Sequence, residues 1–117
     1  MAEERFSITN KTRSELPRVN FLEIKNKVLG KDYSLSLVFI GKDKSRKLNL
    51  AYRGKNKPAN ILSFGLDKKT GEIFICTSIA KKETSFLFIH GLLHLKGMAH
   101  GSTMEKAEIK LRKQFGV

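Results

Sequence analysis

The chain has 117 residues, of which 40% are hydrophobic and 29% charged, and it contains one cysteine, Cys76. This length and composition are typical of one globular domain, which we expect to span residues 1–117, and they exclude a largely disordered chain or a disulfide-stapled one. The apolar runs are too short to span a bilayer, and the polar start Met1–Asn10 does not have the form of a secretory signal. We therefore expect a cytoplasmic protein with no membrane association.

Positive charge is concentrated in one part of the sequence. Lysine and arginine number 23 against 11 acidic residues, which gives a net charge of +12. Seven of the basic residues lie between Lys42 and Lys57, a stretch in which Asp43 is the only acidic residue. Such a cluster favours binding to a polyanion, because lysine and arginine contacts to phosphates release condensed counterions. It does not distinguish RNA from DNA, and a merely solvated lysine-rich surface is the alternative.

Apolar periodicity and turn residues predict elements in the order β-α-β-α-β-β-α-α. The first half is predicted to hold a strand, a helix that starts at a proline, a second strand and a second helix, at Arg5–Thr9, Pro17–Gly30, Leu35–Ile40 and Lys44–Tyr52. The second half is predicted to hold two strands joined by a turn and then two helices, at Ile61–Phe64, Glu72–Cys76, Lys81–Leu95 and Thr103–Phe115. Ser102 or Thr103 is expected to cap the last helix.

The order of these elements predicts the fold class. Early β-α-β units form right-handed parallel crossovers, whereas the strands at Ile61 and Glu72 are close enough in sequence for a hairpin. We therefore expect an α+β fold in one domain, with a small mixed, partly parallel sheet packed against helices.

All three histidines lie within eleven residues, from His90 to His100. His90 and His94 are four residues apart, so on a helix they project from one face, one turn apart. Gly97 is predicted to end that helix in a left-handed conformation, after which the chain can fold back to present His100. The spacing H-x-x-x-H-x-x-G-x-x-H is that of a zincin-like metal-binding helix. Three imidazole ligands leave a fourth position open for water, so the sequence predicts one divalent ion per chain, zinc first, in a site suited to hydrolysis.

Two other kinds of metal site are weighed against this one. A closed structural zinc site needs a fourth protein ligand, for which Cys76 is the only thiol. A zinc protease needs a glutamate directly after the first histidine as general base, and this chain has Gly91 there. The spacing therefore predicts the metal site, whereas Gly91 argues against peptide hydrolysis.

Three segments of the chain resemble the YbeY-type ribosomal RNA maturation factors, a family of metal-dependent, single-strand-specific endoribonucleases. HGLLHLKGMAH, which ends at His100, resembles the family motif H-G-x-L-H-L-x-G-y-D-H. LNLAYRGKNKPANILSF, which begins at Leu48, resembles L-N-x-x-y-R-x-k-d-x-x-T-D-V-L-S-F, and GEIFIC resembles G-D-I-x-I-C. The three segments occur in the family's order.

The resemblance implies a function and a set of site residues. The implied activity is that of a zinc-dependent endoribonuclease in ribosomal RNA processing, maturation and ribosome quality control, with single-stranded ribosomal RNA and ribosomal subunit proteins as partners. Another divalent ion is the alternative to zinc. The metal ligands implied are His90, His94 and His100, and the catalytic residue implied is Arg53, whose guanidinium suits two-point contact with a phosphodiester. Apart from the resemblance, we expect substrate binding by Lys55 and Lys57 of the basic stretch and by Asn60 and Ser63 at the strand that contains Ile61.

The chain departs from the family pattern at several positions. Ala99 replaces the aspartate before the third histidine, Ala59-Asn60 replaces Thr-Asp, and Glu72 replaces the strand aspartate. The changes at Ala99 and Ala59-Asn60 favour an alternative, a non-catalytic RNA- or ribosome-binding assembly factor whose zinc is structural or vestigial. The sequence identifies no general base; Glu72 is the nearest carboxylate in sequence order and is equally well explained as a strand residue.

Overall fold

The computed structural model describes residues 5–117; Met1–Glu4, part of the polar start and of the expected domain, lie outside the described residues. The elements are β1 (Phe6–Asn10), α1 (Phe21–Leu29), β2 (Ser34–Ile40), α2 (Lys42–Arg53), β3 (Ile61–Asp67), β4 (Thr70–Cys76), the short α3 (Thr77–Ala80), a 3₁₀ turn (Lys81–Glu83), α4 (Thr84–Leu95) and α5 (Ser102–Phe115). In the part of the chain described, no helix is long and apolar enough to cross a membrane.

The four strands form one mixed sheet in the order β1-β2-β4-β3. β2 pairs in parallel with both β1 and β4, whereas β3 pairs antiparallel with β4. In this hairpin Ile61 lies opposite Ile75, and Phe64 lies opposite Glu72. The sheet confirms the predicted α+β fold with parallel and antiparallel pairs, and it leaves β3 at one edge of the sheet formed by the described residues.

Helix α4 lies at the centre of the core. Its Phe88, Ile89 and Leu92 are fully buried, because the helix packs against β3 and β4 on one side and against α1 and α5 on the others. The ring of Phe88 meets that of Phe21 in α1 edge to face, with 5.0 Å between centroids. Close packing on several sides gives α4 a fixed position from which side chains can be presented.

Helix α1 begins later than predicted. The prediction that it starts at Pro17 is wrong, since the first helical residue is Phe21 and Asn20 is the cap. The Asn20 side chain accepts a hydrogen bond from the backbone N–H of Glu23 at 3.1 Å. A capping side chain accepts a hydrogen bond from one of the free N–H groups in the first turn of a helix, which a proline cannot do. The Asn20 cap therefore sets the start of α1.

The helix predicted from Lys81 to Leu95 is also different. Its first three residues form the 3₁₀ turn, and the α-helix α4 begins only at Thr84. Lys81, which follows the short α3 directly, has a positive φ of 47°. The other end is confirmed: Gly97 follows α4 with φ +103°, a conformation that glycine adopts without a steric penalty. The cap of α5 is Gly101, so the predicted cap by the side chain of Ser102 or Thr103 is wrong.

Candidate metal centre

The three histidines meet at the C-terminal end of α4. His90 and His94 project from one face of the helix with their Nε2 atoms 3.0 Å apart. After Gly97 the chain folds back, and the ring centroid of His100 lies 4.9 Å from that of His90 and 4.6 Å from that of His94. One ring nitrogen from each histidine lies within 4.8 Å of the others. The structure therefore brings together the three residues that the sequence predicts as ligands.

The donor set fits a zinc ion or a similar divalent metal. Two nitrogens that each bind a tetrahedral zinc at 2.0–2.1 Å stand roughly 3.3 Å apart, close to the 3.0 Å between His90 and His94. Cys76, the fourth ligand of a closed site, is instead buried, with its Sγ 3.6 Å from the Oγ of Ser78. It lies outside the cavity that the histidines line. The arrangement is that of an open three-nitrogen site rather than a closed structural one.

A carboxylate that sequence reasoning missed contacts the histidine cluster. Oε1 of Glu108, on α5, lies 2.7 Å from Nδ1 of His90, and Glu108 is buried. When the Nδ1–H donates to this carboxylate, Nε2 of His90 is left with its lone pair turned towards the other histidines. The available signal was Glu108's place with Met104 and Leu111 on the buried face of α5, where a lone acidic residue needs a buried partner.

His94 has an environment that favours its metal-binding form. Burial lowers the pKa of His94, and the neighbouring His90 and His100 lower it further, against smaller opposing effects of the Met98 backbone and Glu108. A lowered pKa keeps the imidazole neutral at neutral pH. Only the neutral imidazole has a lone pair with which to bind a metal ion.

The histidines open into a cavity of about 380 Å³. Its other walls come from the C-terminal end of α2, the segment before β3 and β3 itself, through Arg53, Asn60, Ile61 and Ser63. Three of the residues predicted from sequence, Arg53, Asn60 and Ser63, therefore line the same cavity as the three histidines. Lys55 and Lys57 lie outside this cavity, exposed on the loop between α2 and β3.

Glu72 lies away from the histidines. It is in register with Ser36 of β2 and Phe64 of β3, and it lines two other cavities. Glu72 pairs with Phe64, whereas the cavity of the histidines is lined by Ile61 and Ser63, nearer the start of β3. Order in the sequence therefore did not predict its position. Glu108, not Glu72, is the carboxylate that reaches the histidine cluster.

The loop between α2 and β3 is held in place by two buried polar side chains of α2. Ser45 Oγ donates to the carbonyl of Ala59 at 2.7 Å and accepts from its N–H at 2.9 Å. Asn49 Nδ2 donates to the carbonyl of Lys57 at 2.8 Å. These bonds tie the half of the loop next to β3 to α2, close to Asn60 at the rim of the cavity.

Gly91 allows α4 to approach β3 closely. A Cβ atom at this position would lie 2.8 Å from Ser63 Oγ and 2.9 Å from Ile61 Cδ1. The glutamate that a zinc protease carries after its first histidine would therefore be forced against these two side chains of β3. The structure gives a steric reason for the glycine.

Comparisons with known proteins agree with the resemblance found in the sequence. A family model described as "Endoribonuclease YbeY" matches residues 2–115. A protein named endoribonuclease YbeY from Onion yellows phytoplasma is 38% identical over 114 residues, and the match covers 80% of this chain and 74% of that one. A protein of the same name from Mycoplasmopsis synoviae is 36% identical over 102 residues, and the match covers 69% of this chain and 66% of that one. The relative from Rubrobacter xylanophilus is 38% identical over 79 residues, 64% of this chain, and the match spans 58% of that protein's length.

A solved structure shows the same fold. The solution structure of a Thermotoga maritima protein superposes with a TM-score of 0.65 at 22% identity, covering 95% of this chain and 89% of that one. The family's name agrees with the class of activity expected from the sequence, an endonuclease that acts on RNA. With the family matched along nearly the whole sequence, the chain belongs to the YbeY endoribonuclease family.

Proposed function

We propose that the chain cleaves single-stranded RNA with the help of one zinc ion held by His90, His94 and His100. The observation that carries the proposal is the convergence of these three imidazoles and Arg53 on one open cavity. A bound zinc ion supplies Lewis acidity, which lowers the pKa of a coordinated water towards about 7 and polarises a phosphoryl oxygen.

Arg53 is proposed to bind the phosphodiester. It stands at the end of α2, exposed, on the rim of the cavity shared with the histidines. Its planar guanidinium can donate two parallel hydrogen bonds to phosphoryl oxygens and offset the charge that develops there. Asn60 and Ser63, which line the same cavity, offer an amide and a hydroxyl for further hydrogen bonds to substrate.

Glu108 is proposed to be a positioning residue. Its contact with Nδ1 fixes the ring of His90 and its tautomer, so that Nε2 is the metal-binding atom. The family's aspartate beside the third histidine is Ala99 in this chain. Glu108 supplies a carboxylate to the cluster from a different helix, which supports a working site despite that change.

The biological substrate is proposed to be ribosomal RNA in the cytoplasm, in its maturation and in ribosome quality control. The family match and the basic Lys42–Lys57 stretch support this proposal, because clustered lysines track a phosphate backbone. Ribosomal subunit proteins are proposed as partners on the family resemblance alone. A non-catalytic assembly factor is the rival function, which Ala99 and Ala59-Asn60 favour.

A cleavage assay separates these functions. Purified protein is incubated with labelled single-stranded RNA and with a duplex of the same sequence, with zinc, with EDTA, and with EDTA followed by excess zinc. We expect cleavage of the single strand, its loss in EDTA and its return with zinc. Salt-dependent RNA binding without chelator-sensitive cleavage would establish the assembly factor instead, and peptide cleavage that is lost in His94→Ala would establish a protease.

A further inference from the structure

A second cavity, of about 240 Å³, lies beside the metal cavity. Adjacent residues of a strand point to opposite faces of the sheet; Ser63 lines the metal cavity, and the next residue, Phe64, lines the second one. The second cavity therefore lies across the edge strand β3 from the histidines. Its walls are the side chains of α2, β3 and β4 that we call the aromatic patch: Leu48, Tyr52, Phe64, Leu66, Glu72 and Phe74.

The rings of the aromatic patch are held in a row. The ring centroids of Tyr52 and Phe64 are 5.0 Å apart, and those of Phe64 and Phe74 are 5.9 Å apart. Tyr52 at the outer end of the row is 69% exposed, and Leu66 beside it is 59% exposed, whereas the two phenylalanines are half-buried. A supported ring with an open face is the form of a stacking surface.

The aromatic patch and the metal cavity approach each other at the end of α2. Tyr52 and Arg53 are consecutive, with Tyr52 in one cavity and Arg53 in the other. Because β3 is at the edge of the sheet, a strand of RNA can pass over it from one cavity to the other. A phosphate held by Arg53 then has a neighbouring base within reach of Tyr52.

The charges around the patch fit a polyanion that carries flat rings. Lys44, Leu48 and Tyr52 recur every fourth residue along one face of α2, and Lys55 is exposed just beyond the helix. Lysines beside aromatic rings are the combination with which proteins bind single strands, cations on phosphates and rings on bases. The carboxylate of Glu72 within the patch repels a phosphate but can accept a hydrogen bond from an amino group of a base. A base is therefore favoured over a phosphate at this position.

From this arrangement we propose that Tyr52, supported by Phe64 and Phe74, stacks on an unpaired base of the RNA whose phosphate lies at Arg53. This inference rests on the proposed function and extends it to the choice of substrate. A base in a duplex is already stacked on its neighbours, whereas an unpaired base is free to be splayed onto a protein ring. The aromatic patch thus gives the site a physical means of selecting single strands.

Binding measurements in EDTA test the patch without cleavage, because its residues are not the proposed metal ligands. Two probes of equal length are compared, oligoadenylate and an abasic ribose–phosphate oligomer, by fluorescence anisotropy. Tyr52→Ala should weaken oligoadenylate binding by about 5- to 150-fold, the effect of losing one stacked base, and leave the abasic oligomer unchanged. Tyr52→Phe should retain wild-type binding, as should Leu50→Ala, the matched loss of an exposed apolar side chain elsewhere on α2.

A spectroscopic probe and two further outcomes complete the test. Fluorescence of 2-aminopurine in the oligomer should change on binding to wild type and Tyr52→Phe, and much less with Tyr52→Ala. Equal binding of oligoadenylate by wild type and Tyr52→Ala overturns the proposal. So does a fall from dimer to monomer in light scattering of Tyr52→Ala without RNA, which would assign the patch to a second copy of the chain. Adding zinc to the wild type then tests the proposed function separately, since failure to cleave leaves the stacking result standing.

Discussion

The two helices that supply the metal cavity are built in opposite ways. In α4, seven of the twelve residues are buried, nearly all of them apolar. In α2, only two of the twelve are buried, the polar Ser45 and Asn49. Close packing of α4 fixes His90 and His94, whereas Arg53 is exposed at the end of α2, next to a loop that side-chain hydrogen bonds tie to that helix. Under the proposed function, metal binding depends on the packing of α4 and RNA binding on the end of α2, so that mutations should separate the two.

Among substitutions in α2, Arg53→Ala is expected to have the largest effect on RNA cleavage. We expect RNA cleavage to fall by about 10²- to 10³-fold, the usual loss when one charge-stabilising donor is removed from an active site. Zinc content should stay at the wild-type level, because Arg53 is not a ligand. Cleavage rates and metal analysis of the same preparations measure both, with Arg18→Ala, an exposed arginine outside the cavity, as the control. An equal fall in metal content would contradict the separate roles proposed for Arg53 and the histidines.

On the α4 side, Gly91→Glu tests the close approach to the sheet. We expect it to lower the free energy of unfolding by about 3 kcal/mol or more, because a carboxylate side chain would be forced against Ser63 and Ile61. Gly91→Ala should change it by less than about 1 kcal/mol, since the gain in helix propensity offsets the contact with movable side-chain ends. Urea unfolding measures both. A variant Gly91→Glu as stable as wild type, or with peptidase activity, would refute this account of the glycine.

A smaller effect on the same side is expected from Glu108. Glu108→Ala should weaken zinc binding by about 10- to 100-fold, because the orientation of His90 is then no longer fixed. Glu108→Gln, which keeps an acceptor for the Nδ1–H, should lose less. Competition with a chromogenic chelator measures the affinity, and Glu105→Ala, an exposed glutamate on the same helix, is the control. Wild-type zinc affinity in Glu108→Ala would remove the positioning role.

Because the order of elements and the clustering of the three histidines depend on local patterns, both were predictable from the sequence. Period-2 and period-3.6 apolar spacing located the strands and helices, and two histidines four residues apart share a helix face wherever the helix lies. The contact between His90 and Glu108 spans 18 residues of sequence and exists only because α5 packs on α4. Glu72 was placed near the site by its order in the sequence, and that prediction failed because strand pairing sets its place. The start of α1 failed for a local reason, since the Asn20 side chain caps the helix three residues after Pro17.

The smallest predicted effect concerns the loop between α2 and β3, which follows Arg53. Ser45→Ala removes the hydroxyl that bonds both the N–H and the carbonyl of Ala59. We expect it to lower the free energy of unfolding by about 1–2 kcal/mol. Zinc affinity should be unchanged, and cleavage should fall by less than in Arg53→Ala. Thermal unfolding measures the first effect, with Ser102→Ala at the exposed start of α5 as the matched control. Loss of zinc binding in Ser45→Ala would show that zinc binding by the histidines depends on α2 and its loop.

Metal analysis of two samples tests the central claim most directly. The samples are the wild type and the variant in which His90, His94 and His100 are all replaced by alanine, each purified without chelator and dialysed against dilute zinc. The account predicts close to one equivalent of zinc per wild-type chain and none above background in the triple variant. Stoichiometric zinc in the triple variant would contradict it, because the ion would then be bound elsewhere in the chain.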